Sequence, residues 1–119
     1  MKTVSLDFDG VINSYKTGWV QADIIPDEPI EGIDKVLKKL KEKGYNIVIC
    51  SSRAKTKVGE NAIWQYLARY GMSQYVTSVT SEKVPSVVLV DDRAIQFNGN
   101  TENLVKRIEN FVPYYMKEK

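Results

Sequence analysis

The sequence predicts a three-layer open α/β fold, in which a mostly parallel sheet carries helices on both faces. Short segments rich in β-branched residues alternate with segments of helical periodicity along the chain, as in proteins built from strand–helix–strand units. The segments 46–50 (NIVIC) and 86–90 (SVVLV) are nearly all apolar, which is typical of parallel strands covered on both faces. The length of 119 residues suits one domain, so we expect a single domain spanning residues 1–119.

Four strands are expected from segments that combine β-branched residues with turn signals at their ends. They lie at residues 3–7 (TVSLD), 46–50, 75–79 (YVTSV) and 86–90. A brief fifth strand is expected at residues 95–97, immediately before the turn signal Asn98-Gly99.

Three helices are expected between and after the strands. The first has apolar residues at helical spacing, with lysines largely on its other faces. Its apolar positions are Ile30, Ile33, Val36, Leu37 and Leu40. Asp27 is the expected N-cap, Pro29 suits the first turn, and Gly44 follows the end.

The other two helices are delimited by a glycine and a proline. The second is expected at residues 59–70, with Gly71 as its end and Ile63, Leu67 and Tyr70 buried. The third begins near Thr101 and ends before Pro113. Its expected buried side consists of Leu104, Val105, Ile108 and Phe111.

The composition excludes several classes of function. The chain has no histidine, which excludes Ser-His-Asp catalysis, Cys-His catalysis and histidine-based zinc sites. Cys50 is its only cysteine, so an intrachain disulfide is excluded as well. The net charge of +2 is too balanced to indicate nucleic-acid or membrane binding. No apolar run suits a membrane span or a signal peptide, so we expect a cytoplasmic protein without a membrane partner.

Charged and hydroxyl side chains follow the predicted strands, at the point where each strand ends. Because ligands in open α/β sheets bind at the carboxyl ends of the strands, we expect these segments to converge. They are Asp7-Phe8-Asp9-Gly10, Ser51-Ser52-Arg53, Lys83 and Asp91-Asp92-Arg93. Packing does not explain the grouping, since carboxylates repel each other unless a cation lies among them.

Magnesium is the cation that these residues suit best. It prefers oxygen ligands and binds through one or two carboxylates together with a substrate phosphate. Asp7 and one of Asp91 and Asp92 can supply the carboxylates. Asp7 can then attack phosphorus to give an aspartyl-phosphate, while Asp9 protonates the leaving oxygen and later activates water. Gly10 allows a sharp turn beneath the phosphate.

These segments resemble the motifs of the haloacid dehalogenase superfamily of aspartate-nucleophile phosphotransferases, and the resemblance spans nearly the whole chain. LDFDGVI at residues 6–12 looks like the first motif, IVICSSR at 47–53 is similar to the second, and VLVDDR at 88–93 looks like the acidic fourth. Lys83 stands where the lysine of the third motif is expected. Dehalogenases of this superfamily lack the second aspartate, so Asp9 favours phosphate chemistry.

The resemblance implies a Rossmann-like core and a role for each matching residue. Asp7 would be the nucleophile and a magnesium ligand, and Asp9 the general acid/base with its backbone carbonyl on the metal. Asp91 and Asp92 would supply the remaining metal ligand, without a decision between them. The substrate phosphate would be bound by residues of the second and third motifs, namely Ser51, Ser52, Arg53 and Lys83.

Several assignments keep an alternative beside the functional one. Ser51 or Ser52 could instead cap a helix or turn. Arg53 and Arg93 could form structural ion pairs with nearby aspartates. The sequence has no room for a cap domain, so residues 11–28 would be at most a flap. In this loop Tyr15 and Trp19 are either a lid over the site or, for Trp19, an anchor packed on the sheet rim.

The expected function is therefore that of a magnesium-dependent phosphatase acting on a phosphomonoester. The missing cap and the DDR sequence resemble small deoxynucleotidases and the phosphatase domains of nucleic-acid end-repair enzymes, which suggests a nucleotide or nucleic-acid end as substrate. A sugar phosphate and a phosphoprotein stay open. The alternatives are a phosphotransferase with a non-water acceptor and a non-catalytic phosphate-binding module. A receiver domain is rejected, because its acidic pair ends the first strand, whereas here the pair follows the fourth.

Overall fold

The computed structural model describes residues 2–116, so residue 1 and residues 117–119 of the expected domain lie outside the described part. Four strands are present: β1 (Thr3–Asp7), β2 (Asn46–Cys50), β3 (Ser78–Thr80) and β4 (Val88–Val90). Three α-helices accompany them: α1 (Ile33–Glu42), α2 (Lys57–Arg69) and α3 (Leu104–Glu109). Three short 3₁₀ helices lie at Ser52–Lys55, Ser73–Tyr75 and Tyr114–Met116. The expected open α/β class is confirmed.

The four strands form one sheet in the order β3-β2-β1-β4, with every neighbouring pair parallel. Asp7 pairs with Cys50, Cys50 pairs with Thr80, and Leu6 pairs with Val90. The carboxyl ends of β1, β2 and β4 are therefore level with one another. The residues that follow these strands meet at one edge of the sheet, as the sequence indicated.

One face of the sheet carries the main hydrophobic core. Its strand residues are Val4, Leu6, Ile47, Ile49 and Val79, and their register places them all on the same side because side chains alternate along a strand. Helices α1 and α2 cover this side, α1 against β2 and α2 against β3. Each fully buried aliphatic side chain there contributes about 1.5–3 kcal/mol to the free energy of folding.

The opposite face is crossed by the segment that connects β3 to β4. Ser5 is buried on this face, and its hydroxyl is hydrogen-bonded to that of Ser86 in the crossing segment. A cavity of about 390 Å³ lies between them, lined by Ser5, Cys50, Lys83, Val84, Pro85, Ser86, Leu89 and Asp91.

The sequence predicted the end of the first helix but not its beginning. The helix begins at Ile33 after Gly32, not at Asp27. Asp27 does not cap it, because its carboxylate accepts hydrogen bonds from the Thr17 backbone N–H at 2.8 Å and the Thr17 hydroxyl at 2.6 Å. Gly44 follows the helix with φ of 90°, so the predicted end is confirmed.

The second helix and the third strand also have shifted bounds. Helix α2 begins at Lys57 because the Thr56 hydroxyl accepts a hydrogen bond from the Gly59 N–H at 3.1 Å. The predicted strand 75–79 begins only at Ser78, since Ser73–Tyr75 form a 3₁₀ helix. The predicted strand 95–97 is wrong: these described residues form no strand.

The prediction of burial is wrong at β4, at α3 and at Tyr70, which directly follows α2 and is 40% exposed. All three residues of β4 are exposed, at 41–50%, because β4 is an edge strand and α1 and α2 pack over β2 and β3. Helix α3 has only six residues, and Val105 and Ile108 on it are 69% and 58% exposed. Within the described part of the chain, no helix is long and apolar enough to cross a membrane.

Candidate functional site

Three carboxylates converge at the carboxyl edge of the sheet. Asp7 is the last residue of β1, and Asp91 and Asp92 directly follow β4, its parallel neighbour. One carboxylate oxygen from each of the three residues lies within 4.8 Å of the other two. Both aspartates that the sequence left as alternatives are therefore close to Asp7.

The Asp7 carboxyl is strongly affected by this proximity. Burial, and then a hydrogen bond shared with Asp92, raise the pKa of Asp7 to about 8. Burial also acts on Asp92, but hydrogen bonds from Asp7 and Tyr115 hold the pKa of Asp92 below its ordinary value. In the absence of a cation the hydrogen bond between the two carboxyl groups therefore favours the protonated form of Asp7.

The three carboxylates fit a hard divalent cation. Their oxygen atoms are the ligands that Mg²⁺ prefers, and their spacing leaves negative charge that a cation would neutralise. Asp92 Oδ1 is buried, yet it accepts no hydrogen bond from an N–H or hydroxyl group in the described residues. A bound cation would give this oxygen a partner in place of the hydrogen bond that a protonated Asp7 shares with Asp92.

Asp9 does not belong to this group of side chains. Its carboxylate accepts hydrogen bonds from Arg53 Nε at 2.9 and 3.1 Å and from Asn13 Nδ2 at 2.9 Å. The sequence-based expectation of metal contact concerned the Asp9 backbone carbonyl, and it stays a prediction. The Asp9 side chain nevertheless borders the same pocket as Asp7, which suits a group that transfers protons beside the nucleophile.

Gly10 brings the chain close to Asp92. Its φ is 84°, a left-handed conformation that favours glycine. A Cβ at this position would lie 2.6 Å from Asp92 Oδ2 and 2.8 Å from Tyr115 Cε2. The turn thus needs glycine both for its backbone and for the space that Asp92 occupies.

Arg53 lies in a buried ion pair with Asp9. Its side chain is 0% exposed, and Nη1 donates to the backbone carbonyls of Gln21, Ala22 and Ile24 at 2.7–3.3 Å. This is the structural alternative to the phosphate contact expected from the sequence. These bonds give Arg53 an anchoring role for the loop, whereas its Nη2 is buried and makes no hydrogen bond with the described residues. The phosphate contact of Arg53 therefore stays a prediction.

The two serines after β2 both border the acidic pocket. Ser51 is buried and its hydroxyl accepts a hydrogen bond from the Arg53 backbone N–H at 3.2 Å, so it caps the short 3₁₀ helix. The hydroxyl hydrogen stays available as a donor toward the pocket. Ser52 is exposed, and its phosphate-binding role stays a prediction.

Lys83 and Arg93 lie on different sides of the acidic group. Arg93 borders the acidic pocket, and its Nε donates to the Tyr115 hydroxyl at 3.3 Å. Lys83 is exposed and lines the cavity on the sheet face opposite the core, together with Asp91. Its ammonium group makes no hydrogen bond or ion pair with the described residues. Lys83 does not border the pocket that contains Asp7, so its contact with a substrate phosphate stays a prediction.

The loop of residues 11–28 forms one wall of the site. The Trp19 ring lies over the Arg53 guanidinium at 4.6 Å and is 53% exposed. Tyr15 has φ of 60° and packs edge-on against Tyr115, with ring centroids 5.7 Å apart. Trp19 is therefore both an anchor of the loop and part of the pocket lining, and the bonds to Arg53 hold this wall in place.

Two functional candidates escaped the sequence analysis. Tyr115 donates to Asp92 Oδ2 at 2.5 Å, and Tyr114 donates to the Gly10 carbonyl at 2.7 Å. Burial and the bond to Asp92 raise the pKa of Tyr115 to about 12, so its hydroxyl keeps the donated proton at neutral pH. Only their position after Pro113 distinguishes them in the sequence, and no motif contains them.

The pocket enclosed by these residues is small. It has a volume of about 160 Å³ and is bordered by Asp7, Asp9, Tyr15, Trp19, Ser51, Ser52, Asp92, Arg93 and Tyr115. Fold and site together define an α/β protein of Rossmann-like topology with a candidate metal-binding group at the carboxyl edge of its sheet.

Comparison with known proteins supports the fold. No protein-family model matches the sequence, and no curated protein sequence matches it. A solved structure described as the conserved protein coded by a locus from Bacteroides thetaiotaomicron is similar, with a TM-score of 0.58 and 21% sequence identity. The similarity covers 91% of this chain and 89% of that chain. The two chains therefore share the α/β architecture over nearly all of their length.

Proposed function

We propose that the protein is a magnesium-dependent phosphatase of the haloacid dehalogenase type, which hydrolyses a phosphomonoester through an aspartyl-phosphate on Asp7. The observation that carries the proposal is the convergence of Asp7, Asp91 and Asp92 within 4.8 Å at the carboxyl edge. Asp9 and Ser51 border the same pocket. Structural packing gives no reason for three carboxylates there, whereas a cation and a phosphate do.

The first half of the reaction is transfer to the protein. The Asp7 carboxylate attacks phosphorus, and the bond between phosphorus and the ester oxygen breaks as the new bond forms. Asp9 would enter this step as a neutral carboxyl group that still accepts hydrogen bonds from Arg53 and Asn13, and would give its proton to the leaving oxygen. Asp7, Asp91 and Asp92 would hold Mg²⁺, which neutralises charge on the transferring group when bound. The Ser51 hydroxyl and Lys83 would contact the other phosphoryl oxygens.

The second half returns Asp7 to its starting state. Asp9 accepts a proton from water, and the resulting nucleophile attacks phosphorus and breaks the bond to Asp7. Inorganic phosphate and the free Asp7 carboxylate result. The hydrogen bonds from Arg53 and Asn13 fix the orientation of the Asp9 carboxylate beside the pocket, which such proton transfer requires.

The surroundings of the pocket bear on the substrate. Tyr15, Trp19 and Tyr115 border it, and aromatic side chains stack well on rings. A nucleotide or nucleic-acid end phosphate is therefore the substrate class to test first. The small pocket volume and the lack of a cap suit a phosphate at the end of a larger group that stays outside.

A phosphate-release assay tests the proposal. Wild type and Asp7→Asn would be compared on an activated aryl phosphate, with Mg²⁺ and with chelator. Glu42→Gln, at an exposed position of α1, would serve as a matched carboxylate-to-amide control. We expect turnover that needs both Mg²⁺ and Asp7 and that Glu42→Gln leaves unchanged. Reduction of the trapped acyl-phosphate followed by mass spectrometry should locate the intermediate at Asp7.

Two other outcomes would redirect the proposal. Turnover that survives Asp7→Asn would contradict the nucleophile. Phosphate binding without turnover would favour a binding module, and product formation only with an added alcohol acceptor would favour a phosphotransferase.

A further inference from the structure

The end of the described chain lies against the acidic site. The 3₁₀ helix Tyr114–Met116 follows the buried Pro113. The Tyr114 hydroxyl donates to the backbone carbonyl of Gly10 at 2.7 Å, a contact between residues 104 positions apart. This bond fixes the C-terminal turn, meaning residues 113–116, onto the turn that follows the proposed nucleophile.

Within the C-terminal turn, Tyr115 contacts an aspartate of the acidic group directly. Its hydroxyl donates to Asp92 Oδ2 at 2.5 Å and accepts from Arg93 Nε at 3.3 Å. The ring packs edge-on against Tyr15 and comes so close to Gly10 that a Cβ there would lie 2.8 Å from Cε2. The ring is thus held on two sides, which fixes the direction of its hydroxyl.

The two oxygens of Asp92 have different surroundings. Oδ2 accepts the bond from Tyr115, whereas Oδ1 is buried and accepts no bond from an N–H or hydroxyl group in the described residues. A carboxylate that follows a three-residue edge strand has rotational freedom unless another group restrains it. The bond to Oδ2 restrains the carboxylate and leaves Oδ1, which has no N–H or hydroxyl donor in the described residues, as the oxygen available to a cation.

We infer that the C-terminal turn is part of the metal site, with Tyr115 as a positioning residue that orients Asp92 for the cation. The inference rests on the proposed function only in that Asp7, Asp91 and Asp92 bind Mg²⁺. Groups that hydrogen-bond a metal ligand set its orientation, and their loss typically weakens metal binding 10–100-fold. Here the orienting group comes from a part of the chain outside every motif that supplies a ligand.

Direct metal binding tests the inference without reference to catalysis. Mg²⁺ affinity of the full chain would be measured by titration calorimetry, and Mn²⁺ affinity by electron paramagnetic resonance. Tyr115→Phe removes the hydroxyl but keeps the ring between Tyr15 and Gly10. Tyr45→Phe is the matched control, because Tyr45 precedes β2 and thus lies at the opposite edge of the sheet. We expect Tyr115→Phe to weaken the binding of both metals about tenfold or more. Tyr45→Phe should leave both affinities unchanged.

A double-mutant cycle separates positioning from general loosening of the fold. In the Asp92→Asn background, Tyr115→Phe should cause little further loss of Mn²⁺ affinity, because its hydroxyl acts through the Asp92 carboxylate. An equal loss in both backgrounds would overturn the inference. So would an unchanged affinity of Tyr115→Phe, or a tighter one, which would show that the hydroxyl competes with the metal. Failure of wild type to bind either metal would instead contradict the proposed function itself.

Discussion

The buried guanidinium of Arg53 lies 2.9 Å from the Asp9 carboxylate. It thereby links the segment that follows β1 to the loop of residues 11–28, which forms one wall of the site. The same side chain bonds three backbone carbonyls of that loop. One residue thus sets the position of the proposed general acid/base and of the pocket wall together.

Replacing Arg53 should therefore destabilise the whole protein. We expect Arg53→Gln to lower the free energy of unfolding by about 3 kcal/mol, because it leaves the partly buried Asp9 carboxylate without its ion-pair partner. Arg53→Lys should recover little of this loss, since an ammonium cannot reach Asp9 and the carbonyls at once. Urea denaturation would measure the free energy of unfolding of both variants, with Arg69→Gln, at an exposed position of α2, as the control. Equal stability of Arg53→Gln and Arg69→Gln would contradict the anchoring role.

Two glycines with similar backbone conformations allow the stability cost of backbone strain to be measured apart from the cost of steric crowding. Gly10 and Gly18 have φ of 84° and 82°, but a Cβ on Gly18 meets nothing within 4 Å. We expect Gly18→Ala to cost about 1 kcal/mol of stability from backbone strain alone. Gly10→Ala should cost about 2–4 kcal/mol, because the methyl group also displaces Asp92 and Tyr115. Thermal and denaturant unfolding in chelator would compare them, and equal costs would argue against the close packing at Asp92.

The stability of the metal-free protein should fall as pH rises between about 4 and 8. In the unfolded chain Asp7 has its ordinary pKa of 3.8, whereas in the folded protein its pKa is raised to about 8. The folded state therefore binds more protons throughout this window, and its stability decreases with pH. Melting temperatures in chelator at about pH 5 and pH 8 would show the decrease, which Asp7→Asn should largely remove. A rise between these values would contradict the protonated Asp7.

Substitution of Asp9 should reveal its proton transfer. Asp9→Asn is expected to slow hydrolysis of alkyl phosphates more than that of activated aryl phosphates, because a good leaving group needs no proton. Rates at saturating Mg²⁺ on a series of leaving groups would provide the comparison. Since Asp9→Asn also breaks the pair with Arg53, melting temperatures must accompany the rates. Equal losses across the series would argue against an acid role.

Trp19 should affect ring-bearing substrates selectively if it takes part in binding. Trp19→Ala is expected to raise KM for a nucleoside phosphate several-fold and to change that for a simple alkyl phosphate little, because stacking contributes about 1–3 kcal/mol per base. Val20→Ala, a change at the neighbouring exposed position, is the control. Equal KM changes for both substrates would leave Trp19 with the anchoring role alone.

Much of the fold was determined by local patterns in the sequence. Strands β1 and β2 have the predicted bounds, because a short apolar run between turn signals encodes a strand without distant information. The convergence of Asp7 with Asp91 and Asp92 followed from parallel strand order, since residues after such strands must meet at one edge. Gly44 ends its helix for an equally local reason, its left-handed backbone.

Only the tertiary structure decided which partners the side chains find. Arg53 could equally have met a phosphate or an aspartate, and the burial of its guanidinium beside Asp9 depends on how the loop folds back. Val88 and Val105 are as apolar as core residues, yet both are exposed, Val88 on the edge strand β4 and Val105 on the short helix α3. Tyr115 reaches Asp92 across 22 intervening residues. Periodicity and spacing describe neighbours along the chain, and contacts of this range depend on the packing of the complete fold.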